Sequence, residues 1–231
     1  MGSRPALVLF DIDGTLLLTG RAGVRAMTAA FAELFGVADA FAAVSMGGRT
    51  DSYLLSRALA AAGLPDTGDV HESFQERYIV RLAAEINQPG TGRKGVLPGV
   101  TALLDAVRAK SHIHAALLTG NYRSAADIKL SHFGLSGHFS WGAFSDDAAD
   151  RNALVPIARN RARARGILAD PPGRTIVVGD TPYDVECARV AGARAIAVAT
   201  GGFSASELRA AGADVVLEDL TETEAVLELL V

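Results

Sequence analysis

The sequence has little of what disulfide cross-links and membrane spans require. Its single cysteine, Cys187, excludes an intramolecular disulfide, which suits a reducing compartment. No apolar run approaches the roughly 18 residues of a membrane span. The N-terminal apolar run 6–10 is too short for a signal peptide and ends in acid. We therefore expect a cytoplasmic protein with no membrane partner.

Positive charge and lysine are also scarce. The net charge is −4, and lysines at 94, 110 and 129 stand against nineteen arginines. This balance argues against an extended nucleic-acid surface but leaves room for a local cationic pocket. The five histidines show no ligand spacing. With 49% hydrophobic and 21% charged residues, the chain can bury a large core.

Short apolar runs alternate with helical patterns over much of the chain. Most runs are continuously apolar, which is typical of parallel strands covered on both faces. The alternation predicts an α/β fold with a doubly wound parallel sheet. The predicted strands are 6–11, 115–119, 175–180, 194–200 and 214–219, and the predicted helices are 98–110, 122–134, 184–192 and 204–212.

The segment from about Arg21 to Gln88 breaks this alternation. It contains three amphipathic helical patterns and no confident strand. Alternation resumes after the loop 87–95. We therefore predict a core formed by residues 1–18 and 91–231, with a helical insert at residues 19–90.

Carboxylates follow two predicted strands. Asp11 and Asp13 end the first, and Asp180 ends another, with Asp184 four residues later. Ligands of open α/β sheets bind at the carboxyl ends of the strands. Two like charges at about 4 Å repel by roughly 4 kcal/mol at an effective dielectric near 20, so such crowding requires a cation. An all-oxygen site suits Mg²⁺, although each acid alone could be a turn former or helix cap.

A third predicted strand ends in Thr119, Gly120 and Asn121, just before a predicted helix. A hydroxyl, a permissive glycine and the exposed N–H groups of a helix start together form an anion site. The alternative is a Thr/Asn turn that only starts the helix. Taken alone, this triplet does not decide between the two interpretations.

Together these motifs resemble those of the haloacid dehalogenase superfamily of hydrolases. Residues 11–17 (DIDGTLL) resemble its nucleophile motif, residues 117–121 (LLTGN) its second motif, and residues 177–192 its acidic fourth motif. The helical insert resembles the cap of phosphoglycolate-phosphatase-like members. The resemblance implies a Rossmann-like core and a phosphatase activity.

The resemblance also implies a role for each acid. Asp11 would attack phosphorus and form an aspartyl-phosphate. Asp13 would protonate the leaving alkoxide and then take a proton from the hydrolytic water. Mg²⁺ would bridge Asp11, the Asp13 backbone carbonyl, Asp180 and a phosphate oxygen. Asp184 would bind the cation through water or orient it.

The family's third motif is a basic residue, usually lysine, and here the sequence departs from it. The region 144–162 contains no lysine, and Arg151 is the best match. Arginine stays charged and binds phosphate bidentately, although its geometry differs from that of lysine. Lys129 is the rival, within the helix after the second motif. Thr119 and the Asn121 N–H would hold phosphate oxygens.

The implied activity is Mg²⁺-dependent hydrolysis of a small phosphorylated metabolite such as phosphoglycolate or a sugar phosphate. Two alternatives stay open: a phosphomutase using the same aspartyl-phosphate, and a non-catalytic phosphoacceptor or regulatory protein. Monomer and homodimer are equally compatible with the sequence.

The cap should decide specificity, because the core motifs hold only the phosphoryl group. Its loop 45–51 contains Arg49, which could pair with a carboxylate or second phosphate of the substrate. The alternative is an ordinary interhelical turn in which Arg49 is solvated and Asp51 is the N-cap.

Overall fold

The computed structural model describes residues 5–167 and 174–230. Within these residues it contains a six-stranded parallel sheet and a two-stranded antiparallel pair. The strands are Ala6–Phe10 (β1), Leu17–Thr19 (β2), Lys94–Val96 (β3), Ile113–Leu118 (β4), Gly142–Ala143 (β5), Thr175–Gly179 (β6), Arg194–Val198 (β7) and Val215–Leu217 (β8).

Helices cover the sheet and form the insert. They are Ala22–Phe35 (α1), Asp51–Ala62 (α2), Gly68–Glu85 (α3), Val100–Arg108 (α4), Arg123–His132 (α5), Leu154–Ala164 (α6), Pro182–Val190 (α7), Ala205–Ala210 (α8) and Thr223–Leu229 (α9). Two short 3-10 turns are Ser136–His138 and Arg151–Ala153. No helix within the described residues is long and apolar enough to cross a membrane.

The large sheet is buried on both faces, as its continuously apolar strands predicted. All five residues of β1 are buried, and side chains two apart share a face. Val8 and Phe10 join one apolar cluster, and Leu7 and Leu9 join another. The predicted α/β class with a doubly wound, Rossmann-like parallel sheet is confirmed.

The strand order places three of the predicted site segments at one edge. The order is β5-β4-β1-β6-β7-β8, so β1 lies between β4 and β6. Phe10 pairs with Leu117 of β4 and Val178 of β6. Because all three strands are parallel and in step, the residues that follow them emerge side by side. This juxtaposition is the structural basis of the site.

The antiparallel pair of β2 and β3 was not predicted. Leu17–Thr19 pairs with Lys94–Val96 where the chain leaves the sheet for the insert and returns from it. Three-residue strands are too short to show a period. Their pairing depends on two segments that are distant in sequence.

The insert has an apolar core of its own. Phe31, Leu55, Phe74 and Tyr78 are buried in a cluster built mainly from α1, α2 and α3. Tyr122 and Ala125, at the start of α5, also belong to this cluster. The three predicted helices are therefore present, and they pack on the sheet-bearing part through α5. The division of the chain at residues 18 and 90 stays a prediction.

The start of α2 is hydrogen-bonded to the loops after β4 and β5. Five hydrogen bonds join residues 50–52 to those loops: Thr50 Oγ1 to Ala149 O at 2.6 Å, Asp51 N to Gly120 O at 2.7 Å, Tyr122 N to Asp51 Oδ2 at 2.8 Å, Ser52 N to Ser145 Oγ at 2.9 Å and Ser145 Oγ to Ser52 Oγ at 2.9 Å.

The N-cap of α2 is Thr50, whose hydroxyl accepts from Tyr53 N at 3.2 Å. Asp51 is the first helical residue, so its interpretation as the N-cap is wrong. Its carboxylate instead accepts the Tyr122 N–H across the interface between the insert and the sheet.

Asp51 makes the folding stability depend on pH. Burial raises the pKa of Asp51 from 3.8 to about 7, against the opposing effect of Lys129. The folded carboxyl binds its proton more tightly than the unfolded one, so ionisation costs stability as pH rises through this window. We expect Asp51→Asn, which keeps an acceptor for Tyr122 N, to gain at least ~1 kcal/mol relative to wild type between about pH 4 and pH 8.

Denaturant unfolding of both proteins across this pH range measures the difference. Asp69→Asn is the control, because Asp69 is exposed in the first turn of α3. A difference for Asp51→Asn that is flat, or that falls as pH rises, would contradict the assignment.

Candidate active site

Three carboxylates converge at the carboxyl edge of the sheet. Asp11 follows β1, Asp180 follows β6, and Asp184 lies in the first turn of α7. One ligand oxygen of each lies within 4.8 Å of the others, and all three residues are buried. The structure thus brings together three of the four acids that the sequence placed after two strands, whereas the Asp13 side chain is not part of this cluster.

The cost of burying these acids shows in their proton affinity. Burial raises the pKa of Asp11 to about 7, with Asp184 and Asp13 adding to the shift and Arg151 opposing it. The pKa of Asp180 lies well above its ordinary value, because of burial and then because of Asp11 and Asp184. The cluster consists of oxygen donors with excess negative charge. It could therefore hold a hard divalent cation.

Arg151 supplies a protein cation to the cluster. It begins a 3-10 turn capped by the Asp150 side chain, which accepts from Asn152 N at 2.9 Å. Its Nη2 donates to Asp11 Oδ1 at 2.9 Å and to Asp184 Oδ1 at 2.5 Å. Arg151 is itself buried. It therefore lies where the resemblance expected the third-motif cation.

Asp184 belongs both to the acid cluster and to a helix cap. Thr181 is the N-cap of α7, and Asp184 completes a capping box with it. Its Oδ2 accepts from Thr181 N at 3.0 Å and from Thr181 Oγ1 at 2.7 Å. The other oxygen accepts from Arg151. The helix cap therefore holds this carboxylate in place for the site.

The Gly-Thr pair after Asp13 fits against Asp180. Gly14 has φ +87°, and a Cβ there would run into the Asp180 carboxyl group. A side chain at position 14 would thus be strained and would displace the acid. The Thr15 hydroxyl donates to Asp180 Oδ1 at 3.2 Å.

The loop after β4 lies beside Asp13. Asn121 Nδ2 donates to Asp13 Oδ2 and to Thr119 Oγ1, both at 2.8 Å. Asn121 N donates to Thr119 Oγ1 at 3.3 Å. At Gly120 a Cβ would meet the Arg49 carbonyl, so glycine permits the close approach of the insert. The three predicted anion-site residues are together, and their binding of phosphate stays a prediction.

Lys129 was only the rival cation in the sequence, and the structure also places it in the site. From α5 its Nζ donates to Asp13 Oδ2 at 2.6 Å and to Asn121 Oδ1 at 2.5 Å. It is one of three lysines and follows Asn121 by eight residues, about two helical turns. That spacing was the sequence feature that could have pointed to Lys129 as a site residue. Recognising it required the knowledge that α5 starts at the second motif.

A cavity of about 480 Å³ opens over these groups. Its walls combine the acids and cations with apolar residues of the insert, among them Val24, Met27, Met46 and Leu54. The site therefore lies between the sheet edge and the insert. A ligand bound there would contact both.

Arg49 lies on the wall of this cavity, but its guanidinium faces a tyrosine. It donates to the Tyr183 hydroxyl at 2.9 Å and lies 3.9 Å from the Tyr183 ring centroid. The Tyr53 ring centroid is 4.9 Å away. The side chain thus links α2 of the insert to α7. Its predicted contact with a substrate anion stays untested.

The fold and site define an α/β protein with a candidate active site at the carboxyl edge of a doubly wound sheet. The haloacid dehalogenase-like hydrolase family matches residues 5–192. The chain therefore belongs to that family, as its motifs predicted.

Its relatives include phosphatases. The chain is 30% identical over 217 residues to the phosphoglycolate phosphatase of Rhodospirillum rubrum, covering 93% of this chain and 88% of the relative. It is 27% identical to the tyrosine-protein kinase PtkA of Mycobacterium tuberculosis, covering 87% of this chain and 64% of PtkA. The predicted class, a haloacid dehalogenase-like hydrolase of phosphoric monoesters, is confirmed at the level of the family.

A solved structure with a bound ligand shows the same fold. CbbY from Rhodobacter sphaeroides, in complex with phosphate, is 26% identical with a TM-score of 0.69, covering 94% of this chain and 96% of CbbY. A CbbY variant was solved with xylulose-(1,5)bisphosphate, with a TM-score of 0.68.

We expect the acid cluster to lower the stability of the metal-free protein and to strengthen its binding of a cation. Asp180→Asn removes one buried negative charge, so we expect it to raise the Tm without Mg²⁺. We expect the same variant to bind Mg²⁺ at least ~10-fold more weakly, because a charged oxygen ligand is lost. Saturating Mg²⁺ should raise the Tm of wild type by several degrees, since ligand at about 100 times its Kd adds about 2.7 kcal/mol.

Thermal unfolding with and without Mg²⁺ measures both effects without any substrate. Glu186→Gln is the matched control, because Glu186 is exposed on the same helix α7. The cation assignment is wrong if Asp180→Asn keeps the full Mg²⁺-dependent rise in Tm.

Proposed function

We propose that this protein is a Mg²⁺-dependent phosphatase that hydrolyses a small phosphorylated metabolite through an aspartyl-phosphate on Asp11. The observation that carries the proposal is that each of the two aspartates after β1, Asp11 and Asp13, is paired with its own cation. Arg151 contacts Asp11 at 2.9 Å, and Lys129 contacts Asp13 at 2.6 Å. Both aspartates line one cavity.

Asp11 is suited to nucleophilic attack. Arg151 holds its Oδ1, whereas Oδ2 has no hydrogen-bond partner within residues 5–167 and 174–230. An oxygen without a protein partner is available to form a bond to phosphorus. In this step the Asp11 oxygen–phosphorus bond forms and the phosphorus–leaving-oxygen bond breaks. One difficult displacement is thereby divided into two.

Asp13 is suited to proton transfer. Its side chain is 40% exposed, far more than the 8% of Asp11, and it lines the cavity. It would give a proton to the leaving oxygen in the first step. In the second step it would take a proton from the water that attacks phosphorus. The water oxygen–phosphorus bond forms, the Asp11 oxygen–phosphorus bond breaks, and inorganic phosphate leaves, which restores the starting state.

Fixed charges and dipoles would stabilise the transferring phosphoryl group. Arg151, the Thr119 hydroxyl and the Asn121 N–H would bind its oxygens, with Gly120 allowing the tight loop. Asp11, Asp180 and Asp184 would hold Mg²⁺ together with the Asp13 backbone carbonyl. The bound cation supplies charge neutralisation for the phosphoryl oxygens.

The size of the cavity, and the ligands named for two proteins related to this one, support a small substrate with a second anionic group. The Rhodospirillum relative is named for phosphoglycolate, and the CbbY variant was solved with a bisphosphate. Residues 19–90 would act as the cap over a core of residues 1–18 and 91–231. Arg49 would leave Tyr183 to pair with a carboxylate or second phosphate of the substrate. The protein would work in the cytoplasm as a monomer or homodimer.

Phosphate release over a panel of phosphometabolites with Mg²⁺ tests the proposal. We expect wild type to turn over at least one of them. We expect Asp11→Asn to lose at least ~10³-fold in kcat, because the attacking oxygen is gone. Asp127→Asn, on the exposed face of α5, should keep wild-type activity.

The outcomes separate the alternatives. Substantial turnover by Asp11→Asn would refute the nucleophile. Slow phosphate release with isomerised product would indicate a phosphomutase. A long-lived phosphoprotein without turnover would indicate a phosphoacceptor. A wholly inert panel with folded wild-type protein would refute the phosphatase.

A further inference from the structure

The site contains two buried cations, and the proposed mechanism uses only one of them. Arg151 contacts Asp11 and Asp184. Lys129 is 5% exposed and contacts neither of them; its hydrogen bonds go to Asp13 and Asn121. The two cations therefore serve different aspartates. From the sequence alone, the two residues were alternatives for the single basic residue of the third motif.

Burying an ammonium is expensive. The effective penalty is several kcal/mol per ion unless it is paired and hydrogen-bonded. Lys129 compensates this penalty by donating hydrogen bonds to two oxygens, Asp13 Oδ2 at 2.6 Å and Asn121 Oδ1 at 2.5 Å. Its long side chain thus ends on the half-exposed aspartate at the cavity wall rather than in solvent.

The hydrogen-bond network settles the orientation of the Asn121 amide. Lys129 can only donate, so the Asn121 atom facing it must be the amide oxygen. The Asn121 amide nitrogen then faces Asp13 Oδ2 at 2.8 Å. Both neighbours of Asp13 Oδ2 are consequently N–H donors.

This arrangement makes the two oxygens of Asp13 unequal. Oδ2 accepts from Lys129 and Asn121, so it cannot carry a proton without losing one of them. Oδ1 has no hydrogen-bond partner in the part of the chain that the structure describes. A proton on Asp13 therefore sits on Oδ1, and Oδ1 is the oxygen that can give or take it.

We propose that Lys129 is a positioning residue that, with Asn121, holds Asp13 by Oδ2 so that Oδ1 faces the leaving oxygen. This inference rests on the proposed acid and base role of Asp13. During phosphorylation of Asp11 the proton moves from Asp13 Oδ1 to the leaving oxygen. During hydrolysis it returns from water to the same Oδ1.

The insert leaves room for this side chain. A Cβ built on Gly23, in the first turn of α1, would lie 3.6 Å from Lys129 Nζ and 3.6 Å from the Tyr78 hydroxyl. The end of Lys129 thus lies between the core and α1 and α3 of the insert.

The leaving group provides a test that a purely structural role would not satisfy. A nitrophenolate leaves without help from a proton, whereas an alkoxide needs one. We expect Lys129→Met to lower kcat/KM, which reports the phosphorylation step alone, by about 10- to 100-fold for an alkyl phosphate; this is less than the ~10²–10⁴-fold of general acid–base catalysis because Asp13 itself is kept. With p-nitrophenyl phosphate we expect kcat/KM to fall by less than about 3-fold, and the inhibition constant for inorganic phosphate to stay unchanged.

Three further variants complete the experiment. Lys129→Gln keeps an N–H donor and should fall between wild type and Lys129→Met on the alkyl phosphate, and it serves if Lys129→Met does not fold. Lys110→Met, at an exposed lysine, should match wild type. Asp13→Asn should show the same dependence on leaving group as Lys129→Met, but more strongly.

Each result decides the matter. Equal losses on both substrates, or weaker phosphate inhibition, would overturn the positioning role in favour of phosphate binding or structure. No loss on either substrate would overturn it as well. If Asp13→Asn itself shows no leaving-group dependence, the acid role in the proposed function fails. If Asp13→Asn shows it and the folded Lys129 variants do not, only the inference about Lys129 fails.

Discussion

The structure depends on the concentration of buried negative charge at one edge of a parallel sheet. β1 and β6 are hydrogen-bonded neighbours, so the acids that follow them meet whatever the rest of the chain does. Asp11, Asp180 and Asp184 are too close to be ionised together without a cation. Arg151, Thr15 and the Thr181 cap are arranged around this charge. The excess negative charge of these three carboxylates is the physical reason to expect a metal ion.

The cations divide the site into two sides. Arg151 contacts Asp11, the proposed nucleophile, and Lys129 contacts Asp13, the proposed acid and base. The family pattern has one basic residue, so the sequence offered Arg151 and Lys129 as alternatives for the same role. The structure shows that their contacts differ, because Arg151 does not contact Asp13 and Lys129 does not contact Asp11. One nitrogen of Arg151, Nη2, donates to the carboxylates of both Asp11 and Asp184, whereas the compact ammonium of Lys129 donates to Asp13 and to the Asn121 amide oxygen.

The insert is part of the site as well as its cover. Residues 50–52 hydrogen-bond to the loops after β4 and β5, and Gly120 is close against the Arg49 backbone. The loop expected to bind phosphate is therefore held partly by the insert. Arg49 bridges α2 and α7 through two tyrosine rings. A change in the position of the insert would alter the phosphate loop, the Lys129 environment and this bridge together.

Local sequence determined five of the six strands of the large sheet, most of the helices and the identity of the strand-end acids, because periodicity and turn chemistry are local properties. It also marked Thr119, Asn121 and Arg151, since motif spacing survives without knowledge of the fold. It could not show the pairing of β2 with β3, the Asp51 contact with Tyr122 or the Arg49 stack on Tyr183. These contacts join residues 71 to 134 positions apart, or strands of three residues. Only tertiary packing decided them, and only tertiary packing assigned Lys129 to Asp13, because charge and hydrogen-bond partners are chosen by distance in space.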